Sequence, residues 1–200
     1  MHLRGRLDEG VESNSRLTAA TAAVLLVLLA AEGLTILSVG SLLTPHIFIG
    51  MVLIPPVALK VGAACWRFVR YYAGAAEYRR KGPPPALLRL LGPFVIVLTA
   101  VVFASGLGLV WASRSWHDRM LLAHKAGFVL WFGAMTIHVL GHVVETARLA
   151  PRDWMSRTRH DVARAGLRQW ALVSSVALGL LLGVVTYGHT GHFVVIPEGH

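Results

Sequence analysis

Long apolar segments alternate with short polar ones along the whole chain. The apolar segments occupy 17–39, 46–66, 91–111, 121–144 and 170–187. Each approaches or exceeds the roughly 20 residues that a helix needs to cross a bilayer. No repeat, low-complexity tract or soluble domain interrupts the alternation. The pattern therefore predicts an all-α integral membrane bundle of five transmembrane helices, with residues 1–200 forming a single membrane domain.

The composition agrees with a chain that lies mostly in lipid. Hydrophobic residues make up 55% of it and charged residues 14%, whereas a soluble domain has about a quarter charged residues. The formal net charge is +9, but the basic residues cluster between the apolar segments, so we expect a lipid bilayer and no nucleic acid as partner. The single cysteine, Cys65, excludes an intrachain disulfide and a multi-cysteine metal site.

Lysine and arginine are distributed unevenly among the connections. They are dense in the N-terminal tail and in the second and fourth connections, and the first connection has none. The positive-inside rule therefore predicts a cytoplasmic N-terminus and a C-terminus outside the cytoplasm. Three basic residues near the third connection go against this bias: Arg114, Arg119 and Lys125.

Histidines interrupt the apolar pattern where polar groups are costly. His124 and His138 are fourteen residues apart, which places them on one helix face about 21 Å apart along the axis. An ionisable residue within a membrane span is a candidate functional residue. His46 opens the second segment after Thr44 and Pro45, which we expect to cap and begin that helix.

The second and fourth segments should run in the same direction, because the third acts as a spacer between them. His46 and His124 would then lie at one depth near the outer surface. Two facing imidazoles suit the axial ligation of haem iron, and Gly50 and Gly127 are expected to make room for the flat group. The outer basic residues would serve as partners for haem propionates; these are Arg114, Arg119 and Lys125.

A second pair is expected further in, where Lys60 lies fourteen residues after His46 and would face His138. A lysine must lose its proton to bind iron, and its free pKa is about 10.4. We therefore expect one haem b, at His46 and His124. A second haem held by His138 and Lys60 is the alternative.

The other ring nitrogen of each histidine ligand should donate to a backbone carbonyl or a carboxylate, which sets the tautomer. Glu32, in the outer third of the first segment, is the candidate carboxylate. The alternative is that Glu32 only reaches the outer interface or hydrogen-bonds to a neighbouring group.

These residues resemble bacterial membrane cytochrome b subunits of the cytochrome b561 and b/b6 type. The resemblance rests on His46, His124 and His138, with the His-x-x-x-Gly of 46–50, and covers roughly 46–142. The blocks LKVGAACWRFVRYYAGAAEYRRKGPPPALLRLLGP and HKAGFVLWFGAMTIHVLGH are similar to an actinobacterial group of small cytochrome b-like membrane proteins. Those families hold two b haems with a His-x13-His pair on each of two helices, and Lys60 departs from that pattern.

The resemblance implies a multi-pass protein of the bacterial inner (cytoplasmic) membrane. It also implies an electron-transfer subunit of an oxidoreductase, working between quinone or a membrane reductase and an extracytoplasmic redox protein. Two alternatives stay open. One is a haem-free membrane transporter with Glu32, Lys60 and His138 along a polar path. The other is a structural membrane subunit whose histidines are satisfied within the bundle.

Overall fold

A computed structural model describes residues 2–82, 85–111 and 113–190, with the side chains of 2–8, 114, 189 and 190 excepted. The described residues form helices and connections without a β-strand. The helices are α1 (His2–Ile36), α2 (Val39–Tyr72), α3 (Ala76–Lys81), α4 (Ala86–Trp111), α5 (His117–Leu149) and α6 (Ala165–Thr190), with 3₁₀ turns at Arg114–Trp116 and Ala150–Asp153. The predicted all-α architecture is confirmed.

Five of these helices, all except α3, are long and apolar enough to cross a membrane. Their outward faces carry large apolar side chains, such as Leu90 at 77% and Leu122 at 70% exposure, which is the surface that a bilayer covers. Several helices extend past the predicted apolar segments. The largest extension is in α1, because its N-terminal turns pack against other polar elements instead of ending at the edge of the apolar segment.

The short connections fix the helix directions. Two residues, Leu37 and Ser38, join α1 to α2, and a short turn joins α4 to α5. α2 and α5 therefore run the same way, as the sequence predicts. We call the end with the connections 73–85 and 150–164 the basic end, and the end with 37–38 and 112–116 the short-loop end.

The helices associate as two groups. One group consists of α1, α2 and α6, with α1 and α6 both packed along α2. The other consists of α4 packed along α5. The two groups meet mainly where α1 touches α5, and α2 and α5 have little direct packing among the described residues. The α2–α6 contact is close because α6 presents glycines. An added Cβ at Gly179 would overlap the backbone oxygen of Val52, and one at Gly183 would lie 2.9 Å from the ring of Phe48.

The start of α2 differs from the prediction. The helix begins at Val39 after Ser38, and Leu42 has a non-helical backbone (φ −109°, ψ 19°) that kinks it. Thr44 therefore does not cap a helix. Pro45 lies in the first turn after the kink, where a missing N–H is tolerated. The kink precedes His46 by one turn and so sets the direction from which its side chain enters the bundle.

A buried ionic cluster closes the basic end. The Asp153 carboxylate accepts from Nη2 of Arg168 at 2.6 Å and from Nη1 of Arg16 at 3.3 Å. The Asp153 side chain is 4% exposed and that of Arg16 is 1% exposed. Buried charges are tolerated only when they are paired and hydrogen-bonded. The cluster therefore ties α1, the second 3₁₀ turn and α6 together, whereas the sequence indicated only solvated loop charges.

Candidate functional site

The imidazoles of His46 and His124 face each other between the two helix groups. Their ring centroids are 6.2 Å apart and their planes are perpendicular. His46 comes from α2, just past the kink, and His124 from the second turn of α5. The two histidines lie at one depth, at the short-loop end, as the sequence predicts; that this end faces outward stays a prediction.

The His46 ring is held through Nδ1 by two groups of α1. Nδ1 lies 2.9 Å from the Thr35 hydroxyl oxygen and 3.1 Å from Oε1 of Glu32. The Thr35 hydroxyl donates its own hydrogen to the Glu32 backbone carbonyl at 2.6 Å, so its oxygen accepts from His46. These contacts fit a neutral ring with its proton on Nδ1 and its lone pair on Nε2. The predicted contact between Glu32 and the ring is confirmed.

The His124 ring is held in the same way by α4. Its Nδ1 lies 3.0 Å from the backbone carbonyl oxygen of Val102. A carbonyl can only accept, so Nδ1 is again the protonated nitrogen. The Ser105 hydroxyl lies 3.2 Å from Nδ1 and donates to the Val101 carbonyl. Both histidines thus present Nε2 as an available ligand atom, and among the described residues neither Nε2 has a hydrogen-bond partner.

Glycines shape the surroundings of the pair, and the expectation that Gly50 and Gly127 make room for a haem stays a prediction. A Cβ at Gly106 of α4 would lie 3.2 Å from Cε1 of His124, so Gly106 makes room for that ring. Gly50 faces the Glu32 carboxylate at 3.6 Å, and Gly127 faces the Val101 side chain at 3.1 Å. Gly50 and Gly127 therefore accommodate protein neighbours in the structure. The sequence could not identify Gly106, because the spacing of glycines does not show which helix they meet.

The basic residues of the short-loop end lie on the surface. The Arg119 guanidinium stacks over the Trp116 ring, with 5.2 Å between its central carbon and the ring centroid. Lys125 is exposed, and the side chain of Arg114 lies outside the described part of the chain. Their predicted contact with cofactor carboxylates stays a prediction.

Lys60 and His138, the expected inner pair, are arranged differently from His46 and His124. The Lys60 ammonium donates to the backbone carbonyl of Thr18 at 2.7 Å, so its hydrogen bond goes to α1. His138 lies within electrostatic range of Lys60, and its Nδ1 is buried without a hydrogen-bond partner. The nearest ring to His138 is that of His142, with centroids 4.7 Å apart. We assign no metal to His138 and Lys60.

The distance between the rings of His46 and His124 can be compared with that of two imidazoles that bind one metal ion. Metal–imidazole bonds are about 2 Å long, so rings on opposite sides of one ion have centres about 6 Å apart. The observed separation matches this. Within the described residues there is no group of three or more His, Cys, Asp or Glu side chains that could hold a bare metal ion. Two imidazole nitrogens alone would be an incomplete ligand set for a metal ion.

Comparison with protein families, curated proteins and solved structures finds no significant match to this chain. The resemblance to cytochrome b subunits therefore remains a prediction based on the histidine pattern. The geometry of His46 and His124 stands independently of it, since it follows from the fold alone.

Proposed function

We propose that the chain is a b-type cytochrome subunit that holds one haem b between α2 and α5. The observation that supports it best is the facing pair of His46 and His124, with centroids 6.2 Å apart and with both protons directed away on Nδ1. Haem ligation by two neutral imidazoles requires this tautomer on both rings.

The residues of the chain would hold, orient and tune the group. When bound, haem supplies one-electron chemistry, and no acid or base of the protein has to react. Nε2 of His46 and Nε2 of His124 would hold the haem iron. A carboxylate that accepts from the far nitrogen raises the basicity of a histidine ligand. His46, next to Glu32, would therefore be a stronger donor than His124, whose partner is a neutral carbonyl.

The position of the pair indicates which redox partners it could reach. The site is near the short-loop end, which the positive-inside rule puts outside the cytoplasm. The partners we propose are quinone or a membrane reductase on one side and an extracytoplasmic redox protein on the other. A periplasmic reporter fused after His200 should be active, and a reporter active in the cytoplasm instead would reverse this assignment.

A reduced-minus-oxidised absorption spectrum of the purified protein tests the proposal. We expect the sharp α-band of a low-spin b haem, and its loss in His46→Ala and in His124→Ala. His117→Ala is the matched control, because His117 starts the same helix as His124 but is exposed. That variant should keep the band. A folded wild-type protein without the band would refute the cytochrome and favour the haem-free transporter or the structural subunit.

A further inference from the structure

A second line of ionisable side chains runs along α5, away from the histidine pair. His138, His142 and Glu145 are spaced by four and three residues, so they follow one another on a single helix face. Together they cover about 10 Å along the helix axis. They lead from the interior of the bundle to the basic end.

Each member of the line is close to the next. The rings of His138 and His142 have centroids 4.7 Å apart. Nδ1 of His142 lies 3.8 Å from Oε2 of Glu145. The Glu145 side chain is 51% exposed, so a small rotation brings its carboxylate within hydrogen-bond distance of the ring.

The Glu145 end of the line opens onto a cleft at the basic end. This cleft has a volume of about 470 Å³, and its walls come from α1, α3 and α5. Glu145 lies in the wall beside Lys81, whose ammonium is 3.7 Å away and also donates to the Ser15 hydroxyl at 2.6 Å. Water in the cleft therefore reaches the Glu145 carboxylate directly.

At its His138 end, the line meets an apolar barrier. Ala134, one turn before His138, packs with Val95 and Leu98 in a buried apolar cluster that Trp131 and Met135 also join. This cluster lies between His138 and the level of His124. The buried Nδ1 of His138, which has no hydrogen-bond partner, is therefore separated from the short-loop end.

We propose that His138, His142 and Glu145 form a proton half-channel that is open to the cleft at the basic end and closed toward the short-loop end. The Glu145 carboxylate takes a proton from water and passes it to His142. That ring releases a proton from its other nitrogen, and Nδ1 of His138 accepts it. The reverse sequence returns the proton to the cleft, and no oxidant or reductant takes part.

The surrounding charges suit reversible transfer. Lys60 of α2 lies near the inner end, and Lys81 of α3, Glu12 of α1 and Arg148 of α5 line the cleft. Burial, and secondarily the Arg67 guanidinium, lower the pKa of the Lys81 amine. The lysine and arginine side chains thus place positive charge beside the line, and Glu145 supplies the opposite charge at its mouth.

The test is the rate at which the ring proton of His138 exchanges with water, read from nitrogen NMR of histidine-labelled protein in lipid nanodiscs. His142→Phe keeps a ring of similar size but removes the relay, and we expect the exchange at His138 to slow at least tenfold. Glu145→Gln is conservative and half-exposed, so the protein should fold, and we expect a slowing of several-fold. This readout needs no haem, and its failure would leave the proposal for the histidine pair unaffected.

His117→Phe is the matched control, since it makes the same change at the other end of α5 and should leave the exchange at His138 unchanged. An unchanged rate in a folded His142→Phe protein would overturn the half-channel. If His142→Phe does not fold, an unchanged rate in Glu145→Gln would overturn it. Equal slowing in the His117 control would overturn it as well, because the effect would not follow the line.

Discussion

The two α1 groups that share Nδ1 of His46 allow a graded test of the haem site. Glu32→Gln removes the carboxyl group but keeps the size of the side chain and an oxygen that can accept. Thr35→Val removes the second acceptor without changing the shape of the side chain. Because both oxygens lie within 3.1 Å of one nitrogen, neither single change leaves the ring without a partner.

The expected loss of haem affinity is small for each single change because two oxygens share one nitrogen. Loss of a hydrogen-bond partner of a metal-bound histidine lowers metal affinity by about 10- to 100-fold. We expect Glu32→Gln alone to weaken haem binding by about tenfold, near the lower limit, and the double variant by about 100-fold. At a pH high enough to ionise Glu32, Glu32→Gln should also shift the reduction potential upward, because a negative charge near the iron favours its oxidised form.

Absorbance titration of the haem-free protein with haem gives the affinity, and a redox titration gives the potential. Ser105→Ala is the control. His124 keeps its Val102 carbonyl in that variant, so the affinity should change by less than about threefold. Wild-type affinity and potential in the Glu32 and Thr35 double variant would show that these groups do not support a ligand.

Three further outcomes are expected. Asp153→Asn leaves the buried Arg168 without its counter-ion, while Arg16 keeps Glu12 at 3.1 Å. We expect it to lower the free energy of unfolding by about 3–5 kcal/mol, measured by denaturant unfolding in detergent; a change below about 1 kcal/mol would show that the cluster is not effectively buried. The ratio of haem to protein should be near one in the wild type and in Lys60→Ala, whereas a ratio of two that falls to one would establish a second site. A triple replacement of the outer basic residues should weaken haem retention or shift its potential, and a wild-type spectrum and potential would remove that role; the residues are Arg114, Arg119 and Lys125.

The span count and the matched depth of the two histidines could be predicted from the sequence. Both depend on local periodicity, on helix rise and on the alternation of direction, which a sequence carries directly. The Glu32 contact was also accessible, because a carboxylate inside an apolar segment needs a partner. The contact between His124 and the Val102 carbonyl could not be predicted. Every residue has a carbonyl, and only the crossing of α4 and α5 selects this one.

The ionic cluster of the basic end was missed for a related reason. Arg16 and Asp153 are separated by 137 residues, and the charges of this end were interpreted as a signal of membrane topology. That interpretation treats each arginine alike. Burial distinguishes them, and burial depends on where α1, the second 3₁₀ turn and α6 meet.

The division of the helices into two groups has a consequence for how such a protein is assembled. The two proposed ligands belong to different groups: His46 to α1, α2 and α6, and His124 to α4 and α5. Since α2 and α5 have little direct packing, a flat prosthetic group could enter sideways from the lipid after all five helices are inserted. Once both rings held the prosthetic group, it would join the two helix groups. The last step of assembly would then also make the bundle more rigid.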